Sequence, residues 1–176
     1  SLNKKLILHS NQFGFRQKFS TCMALLQLVE DVSRSIDENK ITMGVFVDLA
    51  KAFDTVNHSI LLNKLYHYGV RGVVHQWFQS YLTNRRQFVF VNKHSSNLAE
   101  ITCGAPQGSI LGPLLFIIYI NDLANVSEKL KDIMFADDTN LFITGQNMTQ
   151  LENTLNEELD KVNEWFRANL LSLNIS

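Results

Sequence analysis

The segment Ile133-Met134-Phe135-Ala136-Asp137-Asp138-Thr139-Asn140-Leu141-Phe142-Ile143-Thr144 indicates the fold of this 176-residue chain more clearly than any other. Two short apolar runs, 133–136 and 141–144, flank a polar run of residue types that form turns. The pattern predicts a β-hairpin whose turn is Asp137-Asp138-Thr139-Asn140. Two adjacent carboxylates at the tip of an apolar hairpin repel each other unless a cation joins them.

Upstream of the hairpin, the spacing of apolar residues predicts further helices and strands. The predicted elements are a helix from Ser20 or Thr21 to Asn39, a strand over 42–48, helices near 60–69 and 73–82, and strands over 87–92 and 98–103 with a turn at 94–97. The first helix carries Leu25, Val29, Val32 and Ile36 on one face. The strand over 42–48 is apolar on both faces, as a buried strand would be.

The pattern predicts two more helices, one before the hairpin and one after it. A Gly-rich loop opens an apolar helix over 110–123. Thr149 and Glu152 form a capping box that predicts the start of a long helix. The apolar stripe of this helix is Leu151, Leu155, Leu159, Val162 and Phe166, and a final strand begins near Leu171. Strands separated by helices and hairpins favour an α+β fold with a mixed or antiparallel sheet.

Composition excludes several classes of protein. The chain is 45% hydrophobic and 19% charged, with two prolines and eight glycines, which excludes a disordered or collagen-like chain. Its net charge is −1, whereas a small basic nucleic-acid module has a strong positive excess. If the chain handles nucleic acid, its basic contacts are local, as at Asn84-Arg85-Arg86, Lys129 and Lys131, or lie outside the chain; solvated surface charge is the alternative for these residues.

Two distant cysteines, Cys22 and Cys103, favour a reducing compartment over a disulfide framework. The longest apolar run, 110–120, is shorter than the roughly 20 residues that a membrane span needs. We expect a protein of the cell interior, in nucleus and cytoplasm, neither secreted nor attached to a membrane. The chain begins at Ser1 and ends in a strand-like pattern, so we also expect a fragment of a longer polypeptide.

Three aspartates are the strongest candidates for chemistry. Asp48 ends the strand over 42–48, and Asp137 and Asp138 lie at the tip of the hairpin. Three carboxylates at strand ends could hold two Mg²⁺ ions about 3.5–4 Å apart, the arrangement that serves phosphoryl transfer. The alternative is structural: an Asp-Asp pair is ordinary turn chemistry, and Asp48 could cap a helix.

The loop Gly104-Ala105-Pro106-Gln107-Gly108-Ser109 and Phe53 are weaker candidates. The glycines allow another backbone or a ligand to approach closely, and Gln107 offers both a donor and an acceptor. A plain strand–helix turn explains the loop equally well, and Phe53 by itself could be a core phenylalanine.

Together these segments resemble the motifs of reverse transcriptases. Phe46-Val47-Asp48-Leu49-Ala50-Lys51-Ala52-Phe53-Asp54 resembles the first aspartate motif, Gly104–Ser109 the proline-glutamine-glycine motif, and Phe135-Ala136-Asp137-Asp138 the aromatic-alanine-Asp-Asp motif. They follow one another in the family's order. Asn11-Gln12-Phe13-Gly14-Phe15-Arg16, with Ser20-Thr21, is similar to the block that precedes them in non-LTR (LINE-type) retrotransposon enzymes.

The resemblance implies a polymerase palm, in which an antiparallel sheet backed by helices carries the carboxylates, with part of the fingers. Asp48 and Asp137 would be the principal ligands of two Mg²⁺ ions, with Mn²⁺ as a possible substitute. Asp138 would be the third carboxylate. The main chain at Leu49 would run beside the incoming deoxynucleoside triphosphate, and the ring of Phe53 would exclude a 2′-hydroxyl.

The resemblance also implies contacts with nucleic acid. Gln107 and Gly108 would touch the template–primer, Gln107 would also shape the nucleotide pocket, and Arg16 would approach phosphate. Residues 1–176 would form a partial reverse transcriptase domain that lacks the remaining fingers, the primer grip and the thumb. It would be inactive alone and would need further domains of the same polyprotein.

We therefore predict RNA-templated DNA synthesis on an RNA template and a DNA primer by a two-metal mechanism. Two alternatives stay open at this point. One is a decayed or domesticated domain that binds nucleic acid or protein without catalysis. The other is a structural α+β domain, which leaves the ordered motifs unexplained.

Overall fold

A computed structural model describes residues 8–106 and 108–174 and shows an α+β fold. The helices are α1 (Thr21–Asp37), α2 (His58–His67), α3 (Gly72–Leu82), α4 (Leu111–Ile120) and α5 (Met148–Ala168). The strands are β1 (Ile41–Val47), β2 (Arg86–Gln87), β3 (Phe90–Val91), β4 (His94–Ser95), β5 (Ala99–Glu100), β6 (Lys131–Phe135) and β7 (Asp138–Gly145). None of the helices in these ranges is both long and apolar enough to cross a membrane.

The central sheet is antiparallel, with the order β1-β7-β6. Its hairpin, β6–β7, turns at Ala136 and Asp137, so the predicted turn over 137–140 was wrong and Asp138–Asn140 belong to β7. Ala136 has φ 58°, a left-handed value that two-residue hairpin turns require at their first central position. Turn residue types alone could not show this, because polar side chains also occupy strand ends.

Helices cover both faces of the sheet. Alternate side chains of the hairpin point to opposite faces: Met134, Leu141 and Ile143 join one core cluster, and Ile133 and Phe142 join another. The first cluster contains α4, which is buried almost all round, and the apolar stripe of α5 at Leu151, Leu155, Val162 and Phe166. The second is covered by α1, whose Ala24 packs beside Phe13.

Two expectations about burial were wrong. The predicted apolar face of α1 is largely exposed at Leu25, Val29 and Ile36. β1 is an edge strand and not a fully buried one, and its Phe46 is 71% exposed. Leu25, Val29 and Phe46 border the open groove between α1 and β1, which nothing within the described ranges fills.

Several predicted boundaries also moved. The small hairpin β3–β4 turns at Asn92 and Lys93, with φ 50° and 67°, and not at 94–97. Asn147, not Thr149, caps α5, since its side chain accepts from the Gln150 N–H. Within the described residues 171–174, the predicted final strand contains one isolated bridge, between Leu49 and Leu173.

A buried carboxylate ties α5 to the loop before β6. The side chain of Glu158 is 1% exposed, and Lys161 Nζ donates to both of its oxygens at 2.9 Å. Lys129 Nζ lies 3.2 Å from the same carboxylate. Hydrogen bonds from Lys161, then from Ser127, lower the pKa of Glu158 to about 2.

This carboxylate is expected to make stability depend on pH. Because its pKa is lower in the folded state than its ordinary 4.5, Glu158 stabilises the fold above pH 4.5, and this contribution disappears as pH falls to about 2. Glu158→Gln should therefore lower the melting temperature at pH 7 and have little effect near pH 2, measured by thermal denaturation. The exposed neighbour substitution Glu157→Gln is the control, and equal pH profiles for both variants would contradict the assignment.

Candidate active site

The sheet register brings the three aspartates together. Val47 pairs with Thr139 in the antiparallel register, and one further step along each strand places Asp48 opposite Asp138. Asp137 precedes Asp138 in the hairpin turn. Asp48 and Asp138 also line the same cavity, at the end of the groove between α1 and β1. Residues far apart in the chain are thus gathered at the end of the sheet where β1 ends and β7 begins.

The electrostatics of this cluster favour a cation. Partial burial raises the pKa of Asp138, and the negative charges of Asp137 and Asp48 raise it further. Across the described ranges, no lysine, arginine or histidine forms an ion pair with any of these carboxylates. Hard divalent cations prefer oxygen ligands of this kind. The donor set therefore fits Mg²⁺ chemically.

The donors are gathered without forming a complete metal cage. Within the part of the chain that the structure describes, no three His, Cys, Asp or Glu side chains are arranged to hold an ion by themselves. Asp48 also contacts Asn174, whose Nδ2 donates to Asp48 Oδ2 at 2.8 Å and whose backbone N–H donates to the Asp48 carbonyl at 2.9 Å. Mg²⁺ commonly combines one or two carboxylates with substrate phosphates and water.

Asn174 is a site residue that the sequence did not reveal. Its position beside Asp48 comes from the pairing of segment 172–174 with segment 48–50, in which Ala50 N–H donates to the Ser172 carbonyl at 2.9 Å. No local pattern announces such a long-range contact. The same pairing buries the side chain of Leu49, so only its main chain could face a nucleotide.

Phe53 and the Gly-rich loop line one cavity. The half-buried ring of Phe53 lies 4.4 Å from the ring of Phe116 and 6.2 Å from that of Phe15, centroid to centroid. Gly108 and Pro106 line the same cavity. The placement is compatible with both predictions for Phe53, because one face of the ring packs on the core while the residue borders an open cavity.

Three hydrogen bonds hold the loop against the segment after Phe53. Ala105 N–H donates to the Phe53 carbonyl and Gly104 N–H to the Val56 carbonyl, both at 2.8 Å. The His58 Nε2 lies 2.9 Å from the Gly104 carbonyl. Gly108 has φ 76° and open space around it. Gln107 lies outside the described residues, so its predicted contact stays a prediction.

Arg16 contacts its own loop. Its Nη1 donates to the carbonyls of His9 and Gln12, both at 2.8 Å, and its guanidinium lies 4.1 Å from the ring centroid of Phe19. Burial lowers the pKa of Arg16. These contacts favour a structural role over the template–primer contact that the resemblance implies.

Two of the other basic candidates are paired with carboxylates. Lys129 forms an ion pair with Glu158, and Lys131 lies 3.2 Å from Asp31. Arg86 stands opposite Glu100 in the β2–β5 register without forming an ion pair with it. The two lysines are thus partly neutralised, whereas the positive charge of Arg86 is not.

Comparisons with known proteins agree with these motifs. The family model for reverse transcriptase (RNA-dependent DNA polymerase) matches residues 1–176. The chain is 30% identical over 186 residues to the probable RNA-directed DNA polymerase from transposon BS of Drosophila melanogaster, covering 98% of this chain and 20% of that protein.

Two further relatives come from the same organism. The RNA-directed DNA polymerase from mobile element jockey is 31% identical, covering 88% of this chain and 18% of that protein. The probable RNA-directed DNA polymerase from transposon X-element is 28% identical, covering 94% and 19%. The chain thus spans about a fifth of the length of these relatives. With the family match over the whole chain and the aspartates of its motifs gathered at one end of the sheet, the chain belongs to the reverse transcriptase (RNA-dependent DNA polymerase) family.

Proposed function

We propose that residues 1–176 form the palm, with part of the fingers, of a polymerase that copies an RNA template into DNA. The observation that carries this proposal is the convergence of Asp48, Asp137 and Asp138 at one end of an antiparallel sheet, where no lysine, arginine or histidine of the described ranges forms an ion pair with them. The relatives support the substrate class, because their names describe RNA-directed DNA polymerases.

In the reaction, the 3′-hydroxyl of a DNA primer attacks the α-phosphate of a deoxynucleoside triphosphate, and pyrophosphate leaves. Asp48 and Asp137 would hold two Mg²⁺ ions, or Mn²⁺ in their place, and Asp138 would complete the carboxylate set. The bound ions supply charge neutralisation for the attacking and leaving oxygens. The chain's own contribution is mainly to position the reactants.

The surrounding residues would select and orient the substrates. The main chain at Leu49 follows Asp48 directly and would run beside the triphosphate. Phe53, at the edge of its cavity, would exclude a 2′-hydroxyl, and the loop with Gln107 and Gly108 would contact the template–primer. Asn174 Nδ2 donates to Asp48 Oδ2 at 2.8 Å. A metal ion bound at Asp48 would therefore either share this oxygen with Asn174 or replace the hydrogen bond.

The remaining proposals concern the context of the chain. We propose that further segments of the same polyprotein supply the rest of the fingers, the primer grip and the thumb, and that residues 1–176 alone do not polymerise. Both described cysteines, Cys22 and Cys103, are free and exposed, which supports action in a reducing compartment such as the nucleus or cytoplasm.

Metal binding offers a direct test that does not require polymerisation. We expect the full-length protein to bind Mn²⁺, detected by electron paramagnetic resonance, and Asp48→Asn or Asp137→Asn to weaken that binding by removing an anionic oxygen ligand. The control, Asp160→Asn, removes an exposed carboxylate from α5 and should change nothing. Equal binding by all variants would overturn the metal assignment.

Primer extension on an RNA template tests the activity itself. Extension by the full-length protein in Mg²⁺ is the expected result. Tight binding of the template–primer with no extension would instead support a domain that binds nucleic acid without catalysis.

A further inference from the structure

The segment 11–14 lies along β6 and reaches the turn at Ala136 and Asp137. Phe13 N–H donates to the Met134 carbonyl at 2.7 Å, and Met134 N–H donates to the Asn11 carbonyl at 2.9 Å. The segment therefore runs parallel to β6, with Gln12 beside Met134. The side chain of Gln12 is completely buried.

The buried side-chain amide of Gln12 forms hydrogen bonds with both the N–H and the carbonyl of Ala136. Its Oε1 accepts from Ala136 N–H at 3.0 Å and from Gly14 N–H at 2.8 Å, and its Nε2 donates to the Ala136 carbonyl at 3.3 Å. A buried amide must be hydrogen-bonded to be tolerated, so these contacts have little freedom to change.

Ala136 needs such support. It is the first residue of the two-residue turn and has φ 58°, which a residue with a side chain rarely adopts. The next two residues are Asp137 and Asp138. Any change in the backbone at Ala136 would therefore move both carboxylates relative to Asp48 on the neighbouring strand.

Gly14 shows how closely the segment covers this turn. A Cβ at Gly14 would lie 2.2 Å from the Ala136 backbone nitrogen and 2.8 Å from its Cα. Real side chains do not approach backbone atoms so closely, so the residue there must be glycine for the turn to keep its place.

We propose that Gln12 is a positioning residue: its amide fixes the backbone of Ala136 and thereby sets Asp137 and Asp138 opposite Asp48. The inference rests on the proposed function, because it takes these carboxylates to be the metal ligands. It adds a residue that does not touch the metal or the substrate and acts through the turn.

The test compares two measurements in the full-length protein. Gln12→Met keeps the size of the side chain and removes its hydrogen bonds. We expect Mn²⁺ affinity to fall about 10–100-fold, the usual loss when a group that orients metal ligands is removed. Deuterium exchange, measured by mass spectrometry, should become faster in the peptide that contains Ala136. Gln12→Asn, which is one methylene shorter, should have the same effects and serves as a second variant.

Tyr119→Phe is the matched control. It also removes hydrogen bonds of a buried side chain, because the Tyr119 hydroxyl donates to the Asn169 carbonyl at 2.6 Å and accepts from the Asn57 N–H at 3.4 Å, and neither partner lies in the hairpin turn. We expect this control to lower the melting temperature without changing Mn²⁺ affinity. If Gln12→Met behaves in the same way, Gln12 is merely structural and the inference is overturned.

The two measurements separate this inference from the proposed function. If Asp137→Asn leaves Mn²⁺ binding unchanged, the proposed function fails, and exchange at Ala136 alone decides whether Gln12 holds the turn. Faster exchange in Gln12→Met would then support the role of Gln12 in holding the backbone of Ala136, and unchanged exchange would overturn that role. If Asp137→Asn abolishes binding while both Gln12 variants bind normally, the metal site stands and the positioning role is wrong.

Discussion

Replacing Asp137 with asparagine is expected to reduce RNA-templated DNA synthesis by the full-length protein by about 1,000-fold or more. A bound metal ion contributes several kcal/mol of charge stabilisation, and each 1.36 kcal/mol corresponds to about tenfold in rate. Asparagine keeps the size of the side chain but removes the charge that holds the ion. Asp48→Asn should have an effect of the same order, measured by single-nucleotide primer extension at saturating Mg²⁺.

The loss should not come from unfolding. Partial burial raises the pKa of Asp138, and the negative charges of Asp137 and Asp48 raise it further, so these charges do not stabilise the fold. Removing one charge should leave the melting temperature unchanged or raise it. Asp160→Asn, on the exposed face of α5, is the charge-matched control. Near-normal extension by both Asp48→Asn and Asp137→Asn would exclude these residues as metal ligands.

The second large effect is expected at Phe53. Phe53→Val should weaken the selection of deoxynucleotides over ribonucleotides by about 10–200-fold, the range for selection by pocket shape. The physical reason is steric: a large ring beside the sugar clashes with a 2′-hydroxyl, and a smaller side chain leaves room for it. Competition between paired ribo- and deoxynucleotides in the full-length protein measures this ratio.

Packing makes a competing prediction for the same residue. A fully buried phenylalanine costs about 3–5 kcal/mol when truncated to alanine, and Phe53 should cost less because it is half-buried. Phe166→Leu, in the core on α5, lowers stability without touching the cavity and is the control. If Phe53→Val lowers both activities together and leaves their ratio unchanged, Phe53 is a packing residue and not a gate.

The periodic helices and their apolar faces could be predicted from the sequence, but not whether another element covers each face. The spacing in α5 predicted both the helix and its buried stripe at Leu151, Leu155 and Val162. The same reasoning found α1 but not the exposure of Leu25 and Val29. Periodicity reports that a helix has an apolar face; whether another element covers that face depends on the tertiary arrangement.

The candidate site shows the same division. The residues Asp48, Asp137 and Asp138 could be chosen from the sequence because they occupy the aspartate positions of the family's motifs in the family's order; carboxylates at strand ends, taken alone, left a structural role open. The hairpin turn was placed wrongly, since aspartate and asparagine occur both in turns and at strand ends. The contacts of Asn174 with Asp48 and of Gln12 with Ala136 join distant parts of the chain, and no local pattern encodes them.

The pairing of β1 with β7 has a consequence for how the protein is made. A ribosome adds about 5–20 residues per second. Because Ile41 pairs with Gly145, β1 cannot pair along its full length until Gly145 has left the ribosome. β6 and β7 are adjacent in the chain and can form their hairpin as soon as they appear. Non-local strand pairing is slow because a long loop must close first. Asp48 therefore cannot meet Asp138 until β7 has been synthesised, and a nascent chain interrupted before β7 contains the first aspartate motif but no assembled carboxylate site.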